Sequence, residues 1–540
     1  MQKLQTFDYV VFLFYFVLVS GYGYWIYKKK QAKQTSTKDF FLAEGSLTWW
    51  AIGASLIASN ISAEQMIGMS GNGFSMGLAI STYEWMAAAT LIVVGVVFMP
   101  IYLKNKIFTM PQFLSQRYNS TVSLIMAIFW LALYILVNLT SILYLGALAV
   151  SGISGIDFTV CMIGLAIFAI IITIGGMKVI GFTDVIQVFF LVIGGLATTY
   201  LAVTLVSMEY DGVSSLTNGL KLMTEKSDTH FHMIFKKGDP HYMALPGLTV
   251  LFGGMWIVNL NYWGCNQYIT QRALGADLKT AREGILFAAF LKLLMPVIVT
   301  LPGIAAYTLY QKGLFQQEML GTDGTFNQDN AYPVLLNLLP IGLKGLSFAA
   351  LTAAIVASLA GKANSISTIF TLDIFKNYIG KNASEKHLVL IGRITIVVSM
   401  ILAIAVSPYM GIDKKGGFQF IQEMTGLLSP GIFAAFAMGF FWKRTNSAGA
   451  LFAIVGGFLI ALSMHNNWLP FADWTTVPFL DRMGMVFLIC VAVMFVLGFV
   501  LPDEGKGLEI DASMFKVQGI FGVGATIVLV IIAFLYWYFW

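Results

Sequence analysis

Residues Gly53-Ala54-Ser55-Leu56-Ile57-Ala58-Ser59-Asn60-Ile61-Ser62-Ala63-Glu64-Gln65 begin as a membrane helix and then stop looking like one. The stretch around them, 48–70, has the roughly 20 residues that about 30 Å of hydrocarbon demands. Yet its middle carries Ser59, Asn60, Ser62, Glu64 and Gln65. Lipid gives polar groups no partner, so such a cluster needs tight helix packing or a water-accessible hollow. A similar stretch lies at 245–268, with Gly253-Gly254 and then Asn259-Leu260-Asn261-Tyr262-Trp263-Gly264. Each alone fits ordinary helix contact through small residues and amides. As a matched pair, five spans apart and each opening a group of five, they point to an inverted repeat with a site near mid-membrane.

Composition agrees with a lipid-facing surface. Apolar residues make up 58% of the 540, charged residues 11%, where a soluble fold keeps roughly a quarter charged. The net charge of +5 comes from basic residues at segment ends and gives no case for nucleic-acid binding. Cys161, Cys265 and Cys490 fall in apolar stretches and read as packing residues. His230 and His232 read as a solvated loop pair with no third metal ligand. Neither a nucleotide loop nor a nucleophile–base set is present, so neither an enzyme nor an organic cofactor is expected. Phe7–Tyr27 runs into Lys28-Lys29-Lys30 without a small-residue cleavage site, and reads as a retained helix.

About fourteen spans are expected, near 7–27, 48–70, 77–103, 121–150, 157–175, 179–206, 245–268, 283–310, 336–375, 387–408, 416–441, 447–465, 481–501 and 518–540. This is an all-α polytopic membrane protein. Lys28, Lys29, Lys30, Lys33 and Lys38 share one side with Lys104, Lys106, Arg117, Arg272, Lys279, Arg282, Lys376, Lys381, Lys386, Lys443 and Arg444. That side is expected to be cytoplasmic, in a cell membrane, with both termini outside. Glu318, Asp323 and Asp329 then lie in an external loop. Trp49-Trp50 and Tyr536 to Trp540 suit interfacial belts.

Ionisable groups inside spans cost roughly 2.5–3.5 kcal/mol each on insertion scales, so Glu84 and Lys292 need a reason. One reason is a structural salt bridge between them. The other is a ligand. Glu84, Gln65, Asn60, Asn259, Lys292 and Gln422 mix acceptors with donors, and Tyr262 adds an aromatic face. A cation would not want Lys292 and an anion would not want Glu84 unpaired, whereas a neutral polyhydroxylated ring suits both. Carbonyls freed around Ala58 and Ile61, with the Ser358 hydroxyl and the Ala354 carbonyl one turn earlier, could cage a sodium ion.

At these residues the chain resembles the sodium/solute symporter family, on its sugar branch. The likeness runs through the Gly53–Gln65 stretch, Tyr83-Glu84-Trp85-Met86, Gly175-Gly176-Met177, Thr183-Asp184-Val185-Ile186-Gln187, Asn259 to Gln267, Phe418 to Glu423, Phe441-Trp442-Lys443-Arg444 and Gly449-Ala450. It implies a five-plus-five, LeuT-like inverted-repeat core: 1–47 a leading helix and basic loop, 48–206 the first repeat, 207–244 an external loop, 245–441 the second repeat, 442–540 three further helices. It implies alternating-access symport of a hexose with sodium, the partners being the sugar and the lipid bilayer. The six polar residues would bond sugar hydroxyls. Tyr262 would stack on the ring as inner gate, and Met69, Tyr83 and Phe418 would close the outer side. Ala58, Ile61, Ala354 and Ser358 would hold sodium, with Asp184 on the ion's way to the cytoplasm.

Three positions depart from that pattern. Ala87 and Ala357 each replace a hydroxyl residue, one beside the sugar and one beside the ion. Lys362 stands one turn beyond Ser358 where a small or apolar residue is expected. It is read either as reaching Asp184 or the inner end of the ion path, weakening sodium or letting a proton substitute, or as snorkelling to the interface. A sugar sensor or channel, or a symporter for another polyol such as inositol, are the alternative functions. Self-association is not decided by the sequence.

Overall fold

An apolar stretch of 20 residues has one economical solution in lipid, the helix, because every backbone group then finds its partner within the segment. The computed structural model describes residues 4–30, 47–175, 177–321, 324–409, 417–502, 504–517 and 519–540. Lys33, Lys38, Gly176 and Asp323 lie outside the described residues. The described chain is helical throughout, apart from loops and one isolated bridge between Leu320 and Phe326.

Ten described helices are long and apolar enough to cross a bilayer, and the pair Phe418–Gly426 and Ser429–Phe441, bent by 50°, makes an eleventh. The expectation of fourteen is not met on length and composition. The shortfall falls on 48–70, 157–175 and 245–268. Phe158–Ile174 is apolar but has only 17 residues. The other two are broken. Trp49–Asn60 ends where Ile61 turns extended (φ −82°, ψ 109°), and the chain resumes as a wide π-type turn over Glu64–Met69 before Ser70–Met76. In the second, Thr249–Phe252 stops at Gly253, Gly254–Gly264 is regular, and Gln267–Leu274 follows a turn at Cys265-Asn266. The polar run Asn259–Gly264 therefore lies on intact helix, with the interruptions on either side of it.

Two close crossings set the register of the core. A Cβ on Gly53 would lie 2.7 Å from the Gly284 carbonyl, and one on Gly73 would lie 2.6 Å from the Thr300 carbonyl. Trp49–Met76 thus runs parallel to Leu278–Gln311, with Asn60 falling level with Lys292 between the crossings. Helix Leu278–Gln311 starts cleanly because Asp277 accepts from the amides of Lys279 (3.0 Å) and Thr280 (3.1 Å).

Three residues expected in solvated loops are buried. Arg117 donates to the carbonyls of Gly439, Thr445, Trp442 and Lys443 at 2.8–3.2 Å. Arg272 donates to the Ser55 carbonyl (3.1 Å) and hydroxyl (3.0 Å) and to the Tyr268 carbonyl. Each is 1% exposed. Helix ends leave four carbonyls without partners, and a guanidinium's fork can take several at once. His230 is also buried: its Nε2 lies 2.9 Å from the Phe74 carbonyl and its ring stacks on Tyr307. The three cysteines are buried and free, as expected.

Candidate substrate and ion site

The parallel register puts three strands of chemistry side by side. Lys292 donates to Glu84 Oε2 at 2.5 Å and to Asn60 Oδ1, and its ammonium lies 5.3 Å from the centre of the Trp263 ring. Asn60 in turn donates to the Tyr262 hydroxyl at 3.1 Å. Gln65 bridges the break, its Oε1 accepting from the Ser62 amide (3.2 Å) and hydroxyl (3.3 Å). The salt bridge between Glu84 and Lys292 is real, and it forms part of a cavity wall.

That cavity contains about 770 Å³ of atom-free space, partly open to solvent. Asn60, Gln65, Glu84, Asn259, Tyr262, Lys292 and Gln422 all line it, together with Tyr83, Ala87, Phe418 and Lys362. Tyr83 and Phe418 meet edge to face, with ring centres 5.1 Å apart. Both also line a second hollow of about 210 Å³, walled by Asn72, Met76, Ala244 and Leu245. The two rings are therefore the partition between the hollows. Met69 is fully buried and lines neither of them.

The break also frees oxygen atoms. The Ser62 amide goes to Gln65, the Glu64 amide to the Ser62 hydroxyl (3.1 Å) and the Gln65 amide to the Ser62 carbonyl (3.2 Å). Ala58, Asn60 and Ile61 thereby lose their helical donors. The Ser358 hydroxyl reaches the Ser59 carbonyl at 2.9 Å and the Tyr268 hydroxyl at 3.3 Å, so helix Leu343–Thr368 lies against the break. Neutral oxygens at the negative end of helix Trp49–Asn60 fit a hard monovalent cation. Ala354 is buried on the same helix, and Ala357 offers no side-chain oxygen.

Asp184 accepts from the Ser55 hydroxyl at 2.5 Å and lies 4.0 Å from Arg272. No hydrogen bond or ion pair joins Lys362 to Asp184 among the described residues: its ammonium sits 4.8 Å from the centre of the Tyr268 ring, on a cavity wall it shares with Glu64. Nor does it snorkel, being 3% exposed and on the cavity wall. Asp184 already has an arginine.

Sequence reasoning named Glu64, Asn261 and Trp263 only as members of the two polar runs, and gave Asn138 and Asn266 no place in the site, yet all five also line the cavity. Glu64 carried a usable signal, an acid within a span. Asn138 carried a fainter one and stands in a π-type turn, Leu133–Leu139, a distortion common at functional sites. Trp263 carried none, since tryptophan is as ordinary in a packed membrane helix as in a site.

With this geometry in view, comparison with known proteins identifies the class. A model of the "Sodium:solute symporter family" matches residues 40–457, and the chain belongs to that family. It is 45% identical to a sodium/glucose cotransporter of Vibrio parahaemolyticus over 99% of each chain. It is 34% identical to a human sodium/myo-inositol cotransporter 2, over 85% of this chain and 70% of that one. The fold is that of a sodium-coupled sialic acid symporter solved in a substrate-bound outward-open state, with a TM-score of 0.79 and 22% identity, over 92% of this chain and 99% of that one.

Proposed function

We propose that this protein carries a hexose, of the galactose or glucose kind, into the cell together with sodium by alternating access. One observation carries the reading: seven polar and aromatic residues from five separated stretches of sequence line one cavity between two broken helices. Glu84, Gln65, Asn60, Asn259, Lys292 and Gln422 bond the sugar hydroxyls, and Tyr262 takes the ring's apolar face. Sodium sits on the carbonyls of Ala58, Ile61 and Ala354 and the hydroxyl of Ser358, tying the broken helix to Leu343–Thr368. Tyr83 and Phe418, backed by Met69, close the outer side, Tyr262 closes the inner, and Asp184 stands on the ion's exit. The halves 48–206 and 245–441 move against each other in a cell membrane, with the basic loops cytoplasmic and the termini outside. Coupling requires each ligand to favour one arrangement over the other.

Accumulation of labelled galactose by proteoliposomes under an inward sodium gradient tests this. Uptake above equilibrium that collapses with the gradient is expected. Binding without accumulation would instead make the protein a sensor. Ala87 on the cavity wall, and the name of the human relative, support a second reading in which inositol is the better substrate. Competition between galactose, glucose and myo-inositol decides it.

A further inference from the structure

Arg272, Lys292 and Lys362 are buried near the first helix break, and Lys362 is the one whose charged group makes no hydrogen bond among the described residues. It is held by two other things. One is the face of Tyr268, the same tyrosine whose hydroxyl bonds Ser358 at 3.3 Å. The other is the cavity wall itself, shared with Glu64, whose Oε1 is buried without a hydrogen-bond partner among the described residues. Lys362 stands one turn after Ser358 on the same helix face, and helical side chains lean toward the helix N-terminus. Its charge is therefore carried back toward the Ser358 hydroxyl and the freed carbonyls. The helix fits closely here: a Cβ on Gly361 would lie 3.3 Å from the Ser59 hydroxyl and 3.1 Å from the Tyr268 ring.

We propose that Lys362 is a tethered cation, a fixed ammonium held over the face of Tyr268 beside the ion seat, on the cavity wall it shares with Glu64. It weakens sodium binding there and supplies part of the charge that otherwise only sodium would bring to the break. The inference rests on the symport reading and adds a consequence to it. Like charges repel steeply in a low-dielectric setting, so sodium must be more concentrated to bind. Glu64 and Lys362 face one cavity from the two sides of the break, and their opposite charges attract there without any ion. Sugar affinity is then only partly sodium-dependent. Ala357 acts in the same direction, removing an oxygen where a hydroxyl would help hold the ion.

The test is sodium titration of the purified full-length protein by tryptophan fluorescence, choline replacing sodium at constant ionic strength, with galactose affinity measured at each end. Lys362→Met is expected to lower the sodium concentration for half-saturation at least ten-fold and to weaken galactose binding in choline at least ten-fold. Lys362→Arg keeps the charge and stays within about three-fold of wild type on both. The double variant Glu64→Gln with Lys362→Met, which leaves no unpaired acid, should keep the tighter sodium binding even if the single variant folds poorly. Identical sodium and choline behaviour in all these proteins would overturn the tethered-cation inference and leave symport standing. No sodium response in any of them would sink both.

Discussion

Two of the buried arginines and lysines stand at helix ends and two on the wall of the cavity, and the two pairs are treated in opposite ways. Arg117 and Arg272 lie at helix ends, their forks filled by backbone carbonyls and, for Arg272, by Ser55 and Asp184. Lys292 and Lys362 lie on the wall of the central cavity, opposite Glu84 and Glu64. A guanidinium with five fixed donors suits carbonyls that never move. An ammonium is a rotatable point charge that can exchange one partner for another. The first pair locks helix ends in place, while Lys292 can hand its hydrogen bonds to a ligand and Lys362, with none, keeps its charge beside the break.

The contrast can be broken at its strongest point by Arg117→Ala, which strands four carbonyls, those of Gly439 and Thr445 on buried residues. At about 1–3 kcal/mol for each unsatisfied buried group, little folded protein should survive detergent extraction, as size-exclusion chromatography would show. A well-folded, fully active variant would remove the structural reading of the arginines. Lys292→Met, paired with Glu84→Gln so that no lone acid remains, should do the reverse. Membrane insertion and melting temperature stay near wild type, while galactose uptake falls about 10- to 100-fold, the worth of a charged hydrogen bond or two. Ala87→Ser sharpens the picture at the cavity wall. One added hydroxyl should shift the galactose-to-inositol preference by about 2- to 10-fold, read by competition. The smallest effect belongs to Asp277→Ala, which removes a helix cap far from the cavity: about 1 kcal/mol of stability and unchanged uptake per folded molecule. Hydrogen bonds from the Thr280 hydroxyl and backbone amides hold the Asp277 carboxyl below its ordinary value. Its contribution is present at neutral pH and is lost as pH falls through that lowered value, so the melting curves of variant and wild type should converge in acid.

Much of the site was legible because charges and amides are expensive in lipid, which made Glu84, Lys292 and Gln65 stand out against an apolar background. The same rule marked Glu64 within the first polar run, but its neighbour Gln65, not Glu64, was given a ligand role. Arg117 and Arg272 were misread as solvated loop charges because helix ends and loops look alike in one dimension. Among the described residues the expected fourteen spans fell to ten or eleven by length and composition, because two broken helices divide an apolar run into pieces too short to count alone and Phe158–Ile174 has only 17 residues.

The sequence by itself determined that the chain crosses lipid many times, that two of its spans are interrupted and which polar residues need a hollow, because solvation in hydrocarbon is a local property of each stretch. Only the tertiary structure decided who stands opposite whom: Lys292 with Glu84 and Asn60, Asp184 with Arg272, and Lys362 with Tyr268 rather than with Asp184. Those pairings depend on glycine contacts such as Gly53 with Gly284, which fix the register of helices more than 200 residues apart in sequence. Close packing between such distant segments leaves no periodic trace in either of them.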